Sequence, residues 1–290
     1  MRMLSAIAVT MLAASSLHAQ NKVDRGLPLD PTGAVRVYSL VGSVRVTGWN
    51  RDSVAVRGNI GKGNELHMGG GRGGTKMFIE GADERNPAPA NIEVMVPVRA
   101  KVWVKTATAS IDVSGVTGSL DLYVVGGDIT VKGNPADVNA EAIDGSIAIT
   151  GSPAWVRAKS ASGNVTINGT ISDVTCSTVS GKIEVSGRAF EKAKFESVTG
   201  PISFRGTFER GGLVNFDTHS GSIDIGMPAG SPADFEVVSI AGSIKNGLTS
   251  SRPVPGKYGR GAELTTSSGP GGTRVIIRSF KGPVTLNSIK

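Results

Sequence analysis

The chain has 290 residues with a formal net charge of +7, and 40 of its residues are glycine, roughly twice the usual share. Because 39% of the residues are hydrophobic, the composition excludes a disordered chain, and because the glycines follow no G-X-Y period it also excludes collagen. A helical bundle is disfavoured as well, since glycine costs about 1 kcal/mol relative to alanine inside a helix, which leaves an all-β chain with many turns.

Residues 1–19 have the pattern of a secretory signal peptide: a positively charged start, a short apolar stretch and a small residue, Ala19, after which we expect cleavage. The apolar stretch is shorter than the ~20 residues that a membrane-spanning helix needs, and no later segment is apolar enough, so no transmembrane segment is predicted. The single cysteine, Cys176, lies far from the cleavage point, which predicts neither a lipid anchor nor an internal disulfide. We therefore expect an exported protein, periplasmic, extracellular or at the cell surface, with an N-terminal linker at residues 20–32.

An internal repeat organises the rest of the chain. The pattern G-x-[IV]-x-[IV]-x-G, or a looser copy of it, starts at nine glycines: Gly42, Gly127, Gly145, Gly163, Gly181, Gly200, Gly221, Gly242 and Gly282. A tenth copy starts at Ala109, and from there the copies follow one another by a constant step of 18 residues as far as Gly181, then by 19, 21 and 21. We call the first residue of each copy its leading position. The second residue after it is isoleucine or valine in every copy.

Each copy predicts two short strands joined by a glycine turn, because tight corners need a positive φ or a close approach of two backbones. The positions seven and five residues before the leading position are mostly apolar and the one between them is mostly polar, an alternation typical of a half-buried strand. One unit is too small to bury a core of its own, whereas stacked units form a continuous core. The sequence therefore favours a single-domain β-solenoid, a right-handed parallel β-helix of about ten coils of 18–21 residues over residues 33–290. A β-sandwich is the alternative.

Two insertions interrupt the repeat, at residues 49–100 and 247–274. The first is predicted to cap one end of the solenoid and to contain a flexible glycine-rich loop at residues 69–76, and the second to be a long loop with one short strand. The apolar residue two places before each leading position, such as Val179 or Ile240, is expected to be buried by a bend at the preceding residue. Six phenylalanines fall where the step lengthens and are expected to fill wider coils: Phe190, Phe195, Phe204, Phe208, Phe216 and Phe235.

The sequence contains no recognisable set of catalytic or metal-ligating residues. None of its three histidines has a cysteine or another histidine at metal-ligand spacing, so neither a metal site nor a cofactor is predicted. Glu196 and Asp217 occupy the same outward position of adjacent coils, with Lys194 close enough to pair with them, and His219 is interpreted as a strand-edge residue. Cys176 falls in a core column and is expected to be a small buried hydrophobe. We therefore predict no catalytic residue and a protein that is not an enzyme.

An enzyme that cleaves polysaccharide on a β-helix is the catalytic alternative, because such enzymes need clustered acids on the outward face. Asp121, Glu141, Arg157 and Lys159 alternate in sign over successive coils, which indicates a solvated ladder of ion pairs and not an acid cluster.

Three aromatic residues form the candidate binding face. Trp103 and Tyr123 fall at outward positions of adjacent coils, and Trp155 falls near a corner. Exposed rings on a flat sheet can stack on sugars or contact protein partners, although the same residues could simply cover strand edges. The expected partners are cell-surface polysaccharide or envelope proteins. Nucleic acid is not expected, because lysine and arginine form no run of five or more.

The segments TATASIDVSG at 106–115, SASGNVTI at 160–167, TVSGKIEV at 178–185 and THSGSIDI at 218–225 carry a resemblance that covers roughly residues 33–290. They are similar to an exported bacterial β-strand-repeat family called “putative adhesins”, whose domain has no assigned function. The resemblance implies a β-helical fold and a cell-envelope location, and it supplies no catalytic residues. Our hypothesis is an exported, non-enzymatic scaffold or adhesion and binding module. A carbohydrate-active β-helix enzyme and an envelope sensing or assembly partner are the alternatives.

Overall fold

The computed structural model describes residues 20–289 except residues 82 and 84, so the predicted signal peptide lies outside the described residues. In this part of the chain 25 strands are hydrogen-bonded into one sheet, and the only other regular element is a short 3-10 turn at Lys257–Gly259. The prediction of an all-β fold is therefore confirmed. Within the same residues there is no helix of the length and apolarity that a membrane crossing would require.

The strands fall into three groups along the chain. The N-terminal group is β1 (Gln20–Pro28), β2 (Ala34–Ser39), β3 (Gly42–Trp49), β4 (Ser53–Gly61), β5 (Glu65–Gly71), β6 (Gly74–Glu80) and β7 (Ala90–Pro97). The regular repeats form β8 (Lys101–Thr106), β9 (Ser110–Ser114), β10 (Leu120–Val124), β11 (Ile129–Gly133), β12 (Asp137–Ala142), β13 (Ile147–Gly151), β14 (Trp155–Ser160), β15 (Val165–Thr170), β16 (Asp173–Thr178), β17 (Ile183–Ser197) and β18 (Ile202–Thr218). The C-terminal group is β19 (Ile223–Pro228), β20 (Ala233–Ser239), β21 (Ile244–Asn246), β22 (Val254–Pro255), β23 (Ala262–Ser267), β24 (Thr273–Ser279) and β25 (Val284–Ile289).

Two parallel ladders contain most of these strands. In the first ladder the order of hydrogen-bonded neighbours is β6–β2–β8–β10–β12–β14–β16–β17–β18–β24–β20. In the second ladder the order is β7–β3–β9–β11–β13–β15–β17–β18–β19–β25–β21. The long strands β17 and β18 belong to both, because their first halves pair in the second ladder and their second halves in the first. We call two strands that lie at the same level, one from each ladder, a rung.

The rungs do not follow chain order at either end. At the N-terminal end the rung of β6 and β7 lies outside that of β2 and β3. At the C-terminal end the rung of β24 and β25 lies between those of β18–β19 and β20–β21. Strand β7 aligns Ala90 with Gly42 and Ile92 with Val44, so it is a copy of the repeat with alanine in the leading position.

The segments outside the regular repeats have more structure than the sequence indicates. Residues 20–28, within the predicted linker, form β1, which pairs antiparallel with β4 over its whole length. The expectation of a flexible loop at residues 69–76 is wrong, because β5 and β6 form a hairpin in which Gly71 pairs with Gly74. The two residues between the strands, Arg72 and Gly73, are enough to turn the chain there. In the second insertion β22 and β23 pair antiparallel, where one short strand was expected.

The core lies between the ladders and is made of the predicted columns of valine and isoleucine, which are almost completely buried. The expectation that phenylalanine fills the wider rungs is confirmed, since all six predicted residues are buried. Phe195 and Phe216 stack with ring centroids 5.0 Å apart, and Phe204 and Phe208 stack at 4.5 Å. Cys176 is completely buried in the same core, as predicted, and this burial raises the pKa of its thiol.

The leading glycines lie where successive backbones approach closely. A Cβ atom added to Gly145 would lie 1.7 Å from the carbonyl oxygen of Gly127 one rung away, far inside contact distance. At Gly151, which ends its copy, two features require glycine: φ is +140°, and an added Cβ would lie 1.8 Å from the carbonyl oxygen of Gly133. At Gly145 and Gly151 the neighbouring backbone therefore leaves no room for a side chain.

The expectation that the residue two places before each leading position is buried is wrong. Val179 and Ile240 are 52% and 53% exposed, and Val125, Ile143 and Val198 are exposed as well. The bend expected at the preceding residue does not occur. That position is buried in all ten copies, with an apolar side chain in two of them, Val124 and Ala142, and a serine or threonine in the other eight: Ser39, Thr106, Ser160, Thr178, Ser197, Thr218, Ser239 and Ser279.

Six of these hydroxyls form hydrogen bonds with the turn, which explains why the alternation continues there, whereas Ser39 Oγ and Ser197 Oγ have no hydrogen-bond partner among the described residues. The backbone N–H of Gly163 donates to Ser160 Oγ at 3.0 Å, and that of Gly181 donates to Thr178 Oγ1 at 3.0 Å. A side-chain oxygen that accepts a hydrogen bond from the turn can be buried at little cost. The strand therefore keeps its inward–outward alternation up to the corner, and the next residue points outward.

Candidate binding groove

A groove with a volume of about 530 Å³ lies on the outward side of the first ladder near its N-terminal end. We call it the aromatic groove, because Tyr38 from β2, Trp103 from β8 and Trp155 from β14 line it. Its polar lining residues are Arg36, Lys101, Ser119, Asp121, Asp137 and Asn139.

The parallel register brings these side chains together. Trp103 lies beside Arg36 on one neighbouring strand and beside Asp121 on the other, and Asp121 in turn lies beside Asn139. The rings of Tyr38 and Trp103 meet edge to face, with centroids 4.8 Å apart and planes at 66°. This arrangement fixes the indole ring from one side and leaves it half-buried.

The carboxylates of the groove are held by neighbouring side chains. Asn139 Nδ2 donates to Asp121 Oδ1 at 3.0 Å, and Ser119 Oγ donates to Asp137 Oδ2 at 3.0 Å. Asn139 Oδ1 has no hydrogen-bond partner among the described residues, although it is buried. An unpaired buried acceptor is costly, so a ligand or water that supplies a donor there would be stabilised.

The structure brings together two of the three predicted binding residues. Trp103 and Trp155 line the aromatic groove, whereas Tyr123 does not. Tyr123 lies beside Lys105 in the ladder, and Lys105 Nζ is 5.1 Å from the centroid of its ring. Sequence reasoning missed Tyr38, which stands four residues before its leading position, as Tyr123 does, and this shared position could have revealed it.

The predicted ladder of alternating charges does not form as expected. Asp121 accepts a hydrogen bond from Asn139 and not from a cation. Glu141 and Lys159 are neighbours in the register of β12 and β14, but no ion pair joins any two of the four predicted residues within the described chain.

A second groove, of about 840 Å³, lies at the other end of the first ladder, at the corner that follows it. We call it the corner groove. Glu196, Asp217 and Arg278 lie side by side on adjacent strands along one of its edges, and Lys194 Nζ is 2.8 Å from Glu196 Oε1, as the sequence predicted. His219 stacks on Phe280 with centroids 4.9 Å apart.

The carboxyl group of Asp217 differs from an ordinary aspartate. Its pKa is raised, first because burial removes the carboxylate from water and then because Glu196 is close, while Arg278 and Lys194 oppose the shift. Among the described residues, no three histidine, cysteine, aspartate or glutamate side chains come together in a way that could hold a metal ion.

Comparison with known proteins gives distant structural likenesses. No protein-family model matches the sequence, and no curated protein matches it. A “putative lipid binding protein” from Parabacteroides distasonis is 14% identical with a TM-score of 0.46, over 93% of this chain and 97% of its own. A “putative adhesin” from Bacteroides fragilis is 12% identical with a TM-score of 0.44, over 94% and 99%. A “putative cell adhesion protein” from Clostridium sporogenes is 8% identical with a TM-score of 0.22, over 93% and 100%.

Proposed function

We propose that this protein is an exported, non-enzymatic binding module of the cell envelope, in which a β-solenoid presents the aromatic groove to polysaccharide. The single observation that carries the proposal is the convergence of Tyr38, Trp103 and Trp155 on one groove with two oriented carboxylates. Export and the cleavable signal peptide are parts of the proposal that come from the sequence.

The pairing of the strands supports the solenoid. Leu120 lies beside Val138 in the first ladder and Ile129 beside Ile147 in the second, so both ladders advance by the same 18 residues. In a chain that winds around one core, each strand pairs in parallel with the second strand after it, as observed here. A sandwich is instead built from antiparallel strands. The right-handed winding stays a prediction.

The chemistry of the aromatic groove suits a sugar polymer. A pyranose ring has an apolar face of C–H groups and an edge of hydroxyl groups, so it can stack on an indole while its hydroxyls bond to polar groups nearby. Asp121 and Asp137 retain acceptor capacity for such hydroxyls, because each accepts only one of the hydrogen bonds described above and a carboxylate has about four lone-pair sites. The groove is an open channel along the ladder, which a polymer can enter from the side.

A glycan array with the mature protein tests this proposal, followed by titration of the best ligand. We expect Trp103→Ala to weaken binding about tenfold, as the loss of a central aromatic contact does. Tyr123→Ala is the matched control, since Tyr123 is also a half-buried aromatic residue of the first ladder but lies outside the groove. Equal effects of the two variants, or an array without a ligand, would refute the assignment of the groove.

Cleavage of polysaccharide is a second candidate function, and the neighbouring carboxyl groups of Glu196 and Asp217 favour it. A carboxyl whose pKa is raised by burial, beside a second carboxyl on the neighbouring strand, is an arrangement that a general acid and its partner can use. Incubation of the mature protein with a panel of polysaccharides separates the two functions. Turnover that disappears in Asp217→Asn would replace the binding module by an enzyme.

A further inference from the structure

An exposed apolar stripe runs along the whole corner that follows the first ladder. Each of its members is the residue directly after a strand of that ladder. From the N-terminal to the C-terminal rung they are Leu40, Ala107, Val125, Ile143, Ala161, Val179, Val198, His219, Phe280 and Ile240. The seven large apolar side chains are 38–53% exposed. Together they present on the order of 600 Å² of apolar surface, the upper end of what a typical monomer exposes in one patch.

The stripe forms the floor of the corner groove in its last rungs. The groove extends from Ser177 to Ile240 and includes Val198, His219 and Phe280, so it covers five rungs, or about 19 Å at the spacing of strands in a sheet. It is lined by at most three consecutive residues on each rung, such as residues 196–198, so it is a narrow channel along the ladder. A concave channel of this width fits one extended chain better than a flat bilayer surface.

The backbone along the stripe has no free hydrogen-bonding edge to offer a peptide. The N–H of Val198 donates to the carbonyl of Thr178, that of Phe280 to Thr218, and that of Ile240 to Ser279. A partner strand needs unpaired backbone groups to add to a sheet, and the ladder has already used them here. The occupant is therefore one that requires apolar contact and no backbone hydrogen bonds.

The charges beside the stripe argue against a second copy of the chain. If the stripes of two copies packed side by side in antiparallel orientation, Lys105 of one copy would face Arg278 of the other, and Glu141 would face Glu196. Like charges would therefore meet at both places. The exposed apolar surface is also smaller than the ~800 Å² per partner of a standard stable interface.

Cationic groups lie on the rung of Phe280, next to the last rung of the groove. Arg278 lines the groove beside Asp217, and Lys281 Nζ lies 5.9 Å from the centroid of the Phe280 ring, while the other lining carboxylate, Glu196, is paired with Lys194. From Phe280 to Val179 the stripe covers three rung spacings, about 14 Å, which is close to half of the ~30 Å hydrocarbon core of a bilayer. The distance therefore suits one long acyl chain whose anionic group lies at the cations.

We propose that the corner groove binds a single long-chain fatty carboxylate, with its hydrocarbon chain along Phe280, His219 and Val198 as far as the rung of Val179, and with its carboxylate at Lys281 and Arg278. This site is separate from the aromatic groove and does not depend on the function proposed for it. The side chains of the stripe make apolar contacts with the hydrocarbon chain, and Lys281 and Arg278 interact electrostatically with the carboxylate.

Calorimetric titration with palmitate, below the concentration at which it forms micelles, tests the proposal. We expect one palmitate per chain and binding of octanoate at least tenfold weaker, because fewer methylene groups are buried. Val198→Thr keeps the shape of an exposed side chain and should weaken palmitate binding about tenfold. Val125→Thr is the same change on the same stripe, three rungs beyond Val179 and outside the groove, and should change binding less than twofold.

Two further variants separate the possible results. Lys281→Gln should weaken palmitate binding and reduce its dependence on salt, whereas Trp103→Ala should leave it unchanged even if sugar binding is lost. Absence of palmitate binding, equal effects of Val198→Thr and Val125→Thr, or equal affinity for octanoate and palmitate would overturn the proposal. A dimer in light scattering that Val198→Thr dissociates would assign the groove to a second copy and would also overturn it.

Discussion

The phenylalanine cluster makes a quantitative prediction about where the stability of this protein lies. Phe204 is completely buried, and its ring lies 4.5 Å from Phe208, 5.4 Å from Phe190, 5.9 Å from Phe216 and 6.3 Å from Phe195, measured between centroids. Removal of a buried phenylalanine side chain costs about 3–5 kcal/mol in transfer and cavity terms. Because each aromatic pair adds about 0.5–1.5 kcal/mol, Phe204→Ala should destabilise the protein by the upper part of that range, about 4–5 kcal/mol.

Phe280→Ala is the matched control, since it is the same change at a ring that is 44% exposed and stacks only on His219 among the aromatic contacts of the described residues. We expect it to cost about 1 kcal/mol. Urea unfolding followed by far-ultraviolet circular dichroism gives both free energies, and an unchanged m-value shows that both variants unfold as the original protein does. If the two variants differ by less than about 1 kcal/mol, the wide rungs are not stabilised by their phenylalanines.

Three other predictions concern single residues. The pKa of Asp217 is raised in the folded state, so the folded protein binds more protons and its stability falls as pH rises from the ordinary value of 3.8 through the raised pKa. Asp217→Asn should therefore raise the melting temperature more at pH 7 than at pH 3, and a smaller gain at pH 7 would contradict the role of burial. Cys176 is buried and its thiol pKa is raised, so iodoacetamide should label it only in denaturant, as mass spectrometry can measure; rapid labelling of the native protein would show that the core opens there. Gly145→Ala places a Cβ against the carbonyl of Gly127 and should cost about 1–3 kcal/mol in urea unfolding. Its control, Gly126→Ala, meets only a side-chain atom at 3.5 Å and should be near neutral, and the reasoning fails if both cost the same.

The regular part of the fold could be predicted because the same local pattern is repeated in register. The isoleucine or valine two residues after each leading position lies in one buried column of the second ladder, as Ile129 and Ile147 do. The order of the end rungs could not be predicted, because the copy at Gly282 has the same pattern as the others. Only the tertiary pairing decides that it stacks between those of Gly221 and Gly242. The residues of β7 read as a strand in the sequence but not as a copy of the repeat, because Ala90 and Val96 replace both glycines of the pattern.

The aromatic groove was predicted only in part for a related reason. Sequence positions identify which residues face outward, but the groove depends on which outward residues lie close across several rungs. Trp103 on β8 and Trp155 on β14 share the groove although five strands of the chain, β9 to β13, lie between them, whereas Tyr123 lies against Lys105. The apolar stripe was assigned to the core because hydrophobicity alone does not show that the preceding hydroxyl, such as Thr178, is satisfied inside the turn.

The interleaved ends explain why binding is expected on the sides of the molecule. Strands at the end of a ladder expose backbone groups that can pair with another chain. Here the outer edge of β6 is paired with β5, that of β7 with β4 and that of β20 with β23, all antiparallel, and β21 is only three residues long. Another chain could therefore add to antiparallel strands such as β1 and β5, which pair on one side only, but not to the strands of the ladders that they cover. This weakens the alternative of an assembly partner that binds the ends of the ladders directly. Both grooves accordingly lie on the sides of the molecule, one on the outward side of the first ladder and one at its corner.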